Sequence, residues 1–243
     1  MKITVIETGR PPPVIRADWP GYPDMFQRLV SAADDGFDWE TIALSEGEEL
    51  PDPAALDAIL ITGSPAGVYD PEPWMTPLFD FIRWAAAEST PQVGICFGHQ
   101  AMAQALGGHA RKSTRGWGLG RHSYEICETR EWMGEDMQRG DRFALAVSHQ
   151  DQVTAPPPGA IVLAASDFTP FAALDYSQGP AISFQGHPEF EDDFATALYE
   201  VRRGNPLSDE AVDRAIGSLR GQAHDNARLA HWMSRFYRLN ARA

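Results

Sequence analysis

The sequence contains few lysines, although it is rich in acidic residues. Only two of its 20 basic residues are lysine, and 34 aspartates and glutamates give the 243-residue chain a net charge of −14. A chain with this balance is not expected to bind nucleic acid or an anionic membrane in general, because both need a basic surface. A local basic patch is still compatible with it.

Cysteines and long apolar runs are also scarce. The chain has two cysteines, Cys96 and Cys127, which are too few for a disulfide framework and fit a reducing compartment. The opening segment, MKITVIETG, lacks the apolar core and cleavage site of a signal peptide. No apolar run approaches the roughly 20 residues needed to span a bilayer. These absences predict a cytoplasmic protein without a membrane segment.

Motifs that bind cofactors or metals are missing as well. There is no Walker A sequence, and Gly116-x-Gly118-x-Gly120 lacks the spacing of a dinucleotide fingerprint. No C-x-x-C or H-E-x-x-H pattern indicates a metal site. We therefore expect the chemistry of this chain to need neither a cofactor nor a metal ion.

The chain does contain an alternation of short apolar runs with longer helical stretches. The predicted helices lie around Asp24–Ala33, Met75–Glu88 and His99–Leu106. The predicted strands between them are Lys2–Glu7, Trp39–Leu44, Ala58–Thr62 and Gln92–Cys96. Alternation of this kind predicts βαβ units, and hence an α/β fold with a mostly parallel sheet.

The second half of the chain has a different texture, because its strand-like segments follow one another closely. These segments are His122–Cys127, Phe143–His149, Ala160–Ala165, Phe171–Tyr176 and Ala181–Gln185. They predict antiparallel additions or a mixed extension of the sheet. From Ser208 onward we predict one long helix, with Ser208 as its N-cap. The predicted organisation is a domain of residues 1–200 and a C-terminal helical extension, residues 201–243, packed on it.

The most informative segment is Gly94-Ile-Cys96-Phe-Gly98-His-Gln100, which follows the apolar run Gln92–Ile95. Cys96 would stand at a sharp turn between a strand and a helix, as in a nucleophile elbow in which cysteine replaces serine. The flanking glycines permit that turn, and a helix N-terminus favours the thiolate. A buried structural cysteine is the alternative interpretation of this segment alone.

Partners for such a nucleophile are present elsewhere in the chain. His187 follows a strand-like run, and Glu189 is close enough in sequence to orient it as a base. The turn Thr62-Gly63-Ser64-Pro65 ends another predicted strand, where a backbone N–H can face a developing oxyanion. Taken alone, each segment is more typical of a surface histidine or an ordinary loop.

Together, these segments resemble the class I, or triad, glutamine amidotransferases, and most closely the stand-alone branch similar to the glutaminase domain of GMP synthase. The resemblance extends from the first strand to about Phe190. Its pieces occur in the family's order: TGSP, GICFGHQ, the segment Ser148–Val153 and GHPE. It implies a flavodoxin-like three-layer α/β/α fold with a mostly parallel central sheet.

The resemblance also implies a role for individual residues. Cys96 would be the nucleophile, His187 would transfer the proton, and Glu189 would orient His187. The backbone N–H groups of Ser64 and Phe97 would form the oxyanion hole. The residues expected to hold the amino-acid end of a small-molecule substrate are Gly63, Gln100, Gln150 and Asp151.

An enzyme of this kind would cleave the side-chain amide of glutamine through a γ-glutamyl thioester and release ammonia. The residues after Phe190 are too few for an ATP-using synthetase domain, so an acceptor enzyme would be a separate protein. Hydrolysis of another small γ-glutamyl compound by the chain alone is an alternative, and a non-catalytic binding domain is a further one. The intracellular-protease superfamily shares the cysteine elbow, but it usually has histidine where this chain has Phe97.

Several polar residues near these motifs have weaker signals. A local basic run predicts either a solvated loop or an anion-recognising rim above the site, and its members are Arg111, Lys112, Arg115 and Arg121. His99 and His149 are expected to have packing or loop-shaping roles. Cys127 is expected to be inert.

Overall fold

Helices cover both faces of a mixed sheet in the computed structural model, which describes residues 1–135, 137–221 and 223–241. Within those residues the main sheet has nine strands in the order β2-β1-β3-β4-β11-β10-β9-β6-β7. The strands are β1 (Lys2–Ile6), β2 (Asp38–Ile42), β3 (Ala58–Ile61), β4 (Gln92–Ile95), β5 (His109–Lys112), β6 (Gly118–Ile126), β7 (Arg142–His149), β8 (Asp151–Ala155), β9 (Ile161–Ala165), β10 (Ala173–Asp175) and β11 (Ala181–Phe184).

The first five strands in that order, from β2 to β11, run parallel to one another. Every residue of β3, β4 and β11 is buried, because helices lie on both faces of a parallel sheet and leave neither face to water. The parallel core predicted from the alternating sequence pattern is therefore confirmed.

The helices divide between the two faces and complete a three-layer α/β/α arrangement. One hydrophobic core contains residues of α2 and α3, and the other contains residues of the remaining four helices. The helices are α1 (Tyr22–Ala33), α2 (Met75–Ala87), α3 (Phe97–Ala105), α4 (Asp192–Val201), α5 (Asp209–Gly221) and α6 (Asn226–Leu239). The fold class implied by the resemblance is confirmed.

The other half of the sheet is antiparallel, as the closely spaced strands predicted. β10, β9, β6 and β7 pair antiparallel in turn, and β7 then returns beside the residues that follow β11. The carbonyl of Ala146 in β7 accepts the backbone N–H of His187 at 3.0 Å. A separate two-stranded sheet of β5 and β8, which the sequence analysis did not predict, lies next to α3.

The prediction of one long C-terminal helix is wrong, because two helices, α5 and α6, form there. Asp225, just before α6, pairs with the outer edge of β7. Its N–H donates to the carbonyl of Ala144 at 2.9 Å, and its carboxylate accepts the Ala144 N–H at 2.8 Å. A continuous helix would place Asp225 in a regular turn and lose these bonds. The division at residue 200 stays a prediction, and α4 spans it.

No helix among the described residues is long and apolar enough to cross a membrane.

Candidate active site

Cys96 occupies a strained turn between β4 and α3. Its backbone φ is +53°, a left-handed conformation that costs a residue with a side chain about 1–3 kcal/mol. Close packing explains the two flanking glycines. A Cβ on Gly94 would lie 2.7 Å from the carbonyl carbon of Gly98, and a Cβ on Gly98 would run into the carbonyl oxygen of Ile61. The elbow predicted from the glycine spacing is therefore present, with the thiol at the N-terminus of α3.

His187 and Glu189 form a buried pair beside this turn. The His187 Nδ1 and the Glu189 Oε1 are 2.7 Å apart, and both side chains are at most 4% exposed. The ring of Phe190 stacks on the imidazole, with 3.8 Å between centroids and 9° between planes. The carboxylate and the aromatic ring together fix the orientation of His187.

The charge on His187 depends on its two neighbours. Burial alone would lower the pKa of His187, but the negative charge of Glu189 and the hydrogen bond and charge of Cys96 outweigh it and raise that pKa. These two neighbours therefore favour the protonated form of His187. Because Nδ1 is held by Glu189, Nε2 is the nitrogen left for Cys96. In space, the imidazole therefore lies between the thiol and the carboxylate, which is the order that an activated cysteine nucleophile requires.

A glutamine that the sequence analysis did not single out also contacts the thiol. The side-chain amide of Gln185 donates to the Cys96 sulfur at 3.6 Å, and its oxygen accepts from Gln100 at 3.1 Å. Gln100 donates in addition to the carbonyl of Asp151 at 2.9 Å. A chain of hydrogen bonds therefore connects the elbow to the first residue of β8.

The turn after β3 lies against the elbow and is held from the β1 side. The hydroxyl of Ser64 donates to the carbonyl of Thr8 at 2.7 Å, and the Thr8 N–H donates to the hydroxyl of Thr62 at 3.0 Å. No described residue accepts a hydrogen bond from the backbone N–H of Ser64 or of Phe97. Two main-chain donors beside Cys96 are thus available to an oxyanion.

Two cavities meet at Cys96. The first, of about 330 Å³, contains both acidic and basic side chains, and we call it the mixed-charge cavity. Its lining includes the predicted binding residues Gln100, Gln150 and Asp151, together with Ser64, Asp70, Lys112, Trp117 and Arg202. Groups of both signs suit an α-amino acid end, which carries an ammonium and a carboxylate.

The second cavity, of about 270 Å³, lies on the His187 side of the thiol. We call it the arginine cavity, because three arginines line it and none of its lining residues is acidic. Its lining includes Arg10, Pro11, Arg16, Tyr22, Gly63, Ser64, Cys96, His187 and Arg202. Gly63, predicted to bind substrate, therefore faces this cavity rather than the mixed-charge one.

The basic run forms neither a uniform solvated loop nor a continuous rim. Lys112 lines the mixed-charge cavity, whereas Arg111 is exposed and lines neither cavity. Arg115 donates to the carbonyls of Asp167 and Phe168. The Arg121 side chain is fully buried and pairs with Asp192. The four side chains point in different directions because Arg111 and Lys112 lie on β5, Arg115 lies in the turn that follows, and Arg121 lies on β6.

The two other histidines near the motifs are buried, and burial lowers the pKa of each to about 3. The His99 Nδ1 lies 2.7 Å from the Ser183 hydroxyl, on the strand beside the elbow. The His149 Nδ1 lies 3.0 Å from the Asp151 carbonyl, within its own turn. These contacts fit the packing and loop-shaping roles predicted for them. Cys127, whose pKa is raised by burial, follows β6.

Sequence reasoning missed Gln185, Arg16 and Arg202. Gln185 had a recognisable signal, since it is a polar residue at the end of a short, mostly apolar strand and two positions before His187. Arg16 follows β1, whose carboxyl end lies at the same sheet edge as that of β4. Arg202 follows a helix that was not predicted, so no sequence signal placed it near Cys96.

The described residues contain no group of three or more histidine, cysteine, aspartate or glutamate side chains arranged to hold a metal ion.

The chain is similar in sequence and in fold to several known proteins. The chain is 25% identical to γ-glutamyl peptidase 2 of Arabidopsis thaliana over 86% of its own length and 85% of that protein. It is 36% identical to the GMP synthase of Thermus thermophilus over 54% of its own length, which corresponds to 24% of that enzyme. The crystal structure of a glutamine amidotransferase from Methylobacillus flagellatus shares the fold, with a TM-score of 0.77 at 18% identity, covering 99% of this chain and 95% of that one.

The family model described as glutamine amidotransferase class-I matches residues 36–196, about two thirds of the chain, including the elbow, His187 and Glu189. The chain therefore belongs to the class I glutamine amidotransferase family.

Proposed function

We propose that this protein cleaves γ-glutamyl amides, with Cys96 as nucleophile, His187 as acid and base, and Glu189 as the group that orients His187. The observation that carries the proposal is the position of Cys96 on a strained turn, beside a buried imidazole that Glu189 holds at 2.7 Å. Membership of the family supports an enzyme of this class.

The reaction has two halves with the thioester between them. The Cys96 sulfur forms a bond to the amide carbon, and the C–N bond breaks while the imidazolium of His187 gives its proton to the leaving nitrogen. Water then adds to the γ-glutamyl thioester, giving its proton to His187, and the C–S bond breaks. Glutamate leaves, and Cys96 and His187 return to their starting state.

Main-chain donors stabilise the charge that develops in each half. The N–H groups of Ser64 and Phe97 flank the thiol and would bind the oxyanion, an interaction worth about 3–4 kcal/mol per donor in known enzymes. Ammonium and carboxylate groups of the γ-glutamyl part would be bound in the mixed-charge cavity, by Asp151 and Gln150 among others. Gln100 fixes the Asp151 carbonyl and would act by positioning this segment. Gly63 lies beside His187, so it would contact the amide rather than the amino-acid end.

Two uses of this chemistry follow from the relatives. In one, ammonia passes to a separate synthetase, which the likeness to a quarter of a GMP synthase favours. In the other, the chain hydrolyses a γ-glutamyl compound alone, which the match along 85% of a γ-glutamyl peptidase favours. We favour the second use, because that relative aligns over nearly its whole length. The cytoplasm remains the expected compartment, since the mechanism needs a reduced thiol.

The test is release of glutamate and ammonia from L-glutamine and from a panel of γ-glutamyl peptides. Cys96→Ala is expected to abolish release while leaving the circular-dichroism spectrum unchanged, and Cys127→Ala serves as the matched control that keeps full activity. Rapid release from a peptide without any partner supports the hydrolase, and slow release from glutamine alone supports the subunit of a synthetase. Activity that survives in Cys96→Ala contradicts the mechanism. No turnover of any compound supports a binding domain.

A further inference from the structure

We propose that the arginine cavity is a leaving-group subsite that selects γ-glutamyl amides whose amine carries a carboxylate, that is, γ-glutamyl amino acids. This inference rests on the function proposed above and specifies its substrate class.

The proton transfer decides which cavity receives the leaving group. The leaving nitrogen takes its proton from His187, so it must lie within hydrogen-bond distance of that imidazole. His187 lines the arginine cavity and does not line the mixed-charge cavity. With the γ-glutamyl part in the mixed-charge cavity and its carbonyl carbon at Cys96, the amine portion of the substrate extends into the arginine cavity.

The charges of this cavity fit a carboxylate. Arg16 donates through Nε to the carbonyl of Pro11 at 2.6 Å, and Arg202 donates to the hydroxyl of Ser148 at 2.6 Å. Neither guanidinium forms an ion pair with any carboxylate of the described residues. Arg10 differs, because Glu7 and Glu46 neutralise it, at 3.2 Å and 2.6 Å. Two positive charges are therefore left without a counterion beside the expected position of the leaving group.

Arginine is well suited to this task. A guanidinium is always protonated and presents several N–H groups in a plane, which matches the two oxygens of a carboxylate. No aspartate or glutamate lines the cavity, so its walls contain no carboxylate that would repel a bound anion.

The cavity is also larger than the reaction of glutamine needs. Its volume of about 270 Å³ is close to the lower end for small-molecule sites, ~300 Å³, whereas the ammonia released from glutamine is a single heavy atom. Three consecutive prolines, Pro11–Pro13, form part of its wall, and their fixed φ angles restrict the loop that carries Arg16.

Both unpaired arginines lie outside residues 36–196, the segment that matches the family model. The chemistry at Cys96 and the selection of the leaving group thus come from different parts of the chain. We therefore attribute this selectivity to the segment after β1 and to the residue after α4.

The experiment compares kcat/KM for γ-glutamylglycine with that for γ-glutamylglycinamide, which is neutral at the same position. The wild-type protein is expected to prefer the carboxylate about ten-fold or more. Arg16→Gln should bring this preference close to one, and Arg16→Lys should restore part of it. Arg111→Gln, which removes an exposed charge that lines neither cavity, is the matched control and should keep the wild-type preference. Arg202 lines both cavities, so Arg16 is the sharper position to change.

The outcomes separate this inference from the function on which it rests. Equal kcat/KM for the two substrates in the wild-type protein overturns the subsite, and so does an unchanged preference in Arg16→Gln. If Cys96-dependent release occurs from L-glutamine and not from γ-glutamylglycine, the proposed chemistry stands and the subsite falls. If no γ-glutamyl amide is cleaved, the proposed chemistry itself fails.

Discussion

The parallel and antiparallel parts of the structure bring different kinds of group to Cys96. The parallel strands β3, β4 and β11 lead into Ser64, Cys96 and His187, which supply a backbone donor, a thiol and an imidazole. The antiparallel β7 and the small β5–β8 sheet lead into Ser148–Asp151 and Lys112, which line the mixed-charge cavity. Parallel strands from distant parts of the chain end at one edge, where reactive groups converge. Surrounding loops can then differ in charge without moving the elbow.

The largest expected effect comes from changing the groups that follow the parallel strands. His187→Ala should lower kcat by about four orders of magnitude or more, and Glu189→Gln should lower it less, because an orienting group contributes less than the base itself. Both are measured by steady-state release of glutamate. Equal losses in the two variants would mean that Glu189 does more than orient the imidazole.

A second prediction concerns the rigidity of the elbow. Gly98→Ala would drive a Cβ into the carbonyl oxygen of Ile61, and a clash of this kind costs about 3 kcal/mol. For a chain of this length, the melting temperature should fall by about 6–12 °C. Gly217→Ala is the matched control, because beyond the local backbone of α5 no atom lies within 4 Å of its added Cβ. It lies inside α5, where alanine is favoured, so thermal melting that ranks the two variants otherwise would refute the packing argument.

A third prediction tests the connection between the two parts. Gln185→Leu removes the donor to the Cys96 sulfur and the acceptor for Gln100, so kcat should fall about ten-fold, the effect of one charge-assisted hydrogen bond. Gln92→Leu changes a buried glutamine at the other end of β4, which donates to the Ile82 carbonyl. If both variants lose activity equally, Gln185 supports only the fold.

The smallest expected effect belongs to the binding side. Lys112→Gln should raise KM roughly five-fold with kcat nearly unchanged, since a charge pair formed by an exposed lysine contributes up to about 1 kcal/mol. Arg111→Gln, its neighbour on β5, should change neither constant. A fall in kcat at constant KM for Lys112→Gln would mean that this side chain acts in the chemical step. The division between a reactive part and a binding part would then be wrong.

The convergence of Cys96, His187 and Glu189 could be predicted from the sequence because their signals are local. The glycines around Cys96 and the two-residue spacing of His187 and Glu189 each describe one turn, and the apolar run before each turn places it at the end of a strand. The parallel core was predictable for the same reason, since each βαβ unit is formed by one continuous stretch of the chain.

The rest depended on contacts between distant residues. Arg16 and Arg202 meet near Cys96 only after β1 and α4 are in place, and nothing in their own neighbourhoods indicates this. The tail appeared to be one helix because its apolar spacing continues across residues 222–225, whereas the contact of Asp225 with Ala144 interrupts it. The arrangement of the basic run could not be predicted, because sequence proximity does not show which way each side chain faces on β5 and β6.

The contact between Asp225 and Ala144 has a consequence for the behaviour of the protein at high concentration. β7 is the last strand of the sheet, and an uncovered last strand is a template on which other chains can add and aggregate. Here Asp225 occupies the N–H and carbonyl of Ala144, and His187 occupies the carbonyl of Ala146. The tail therefore covers this edge of the sheet, and a chain shortened before Asp225 is expected to precipitate where the full chain stays dispersed.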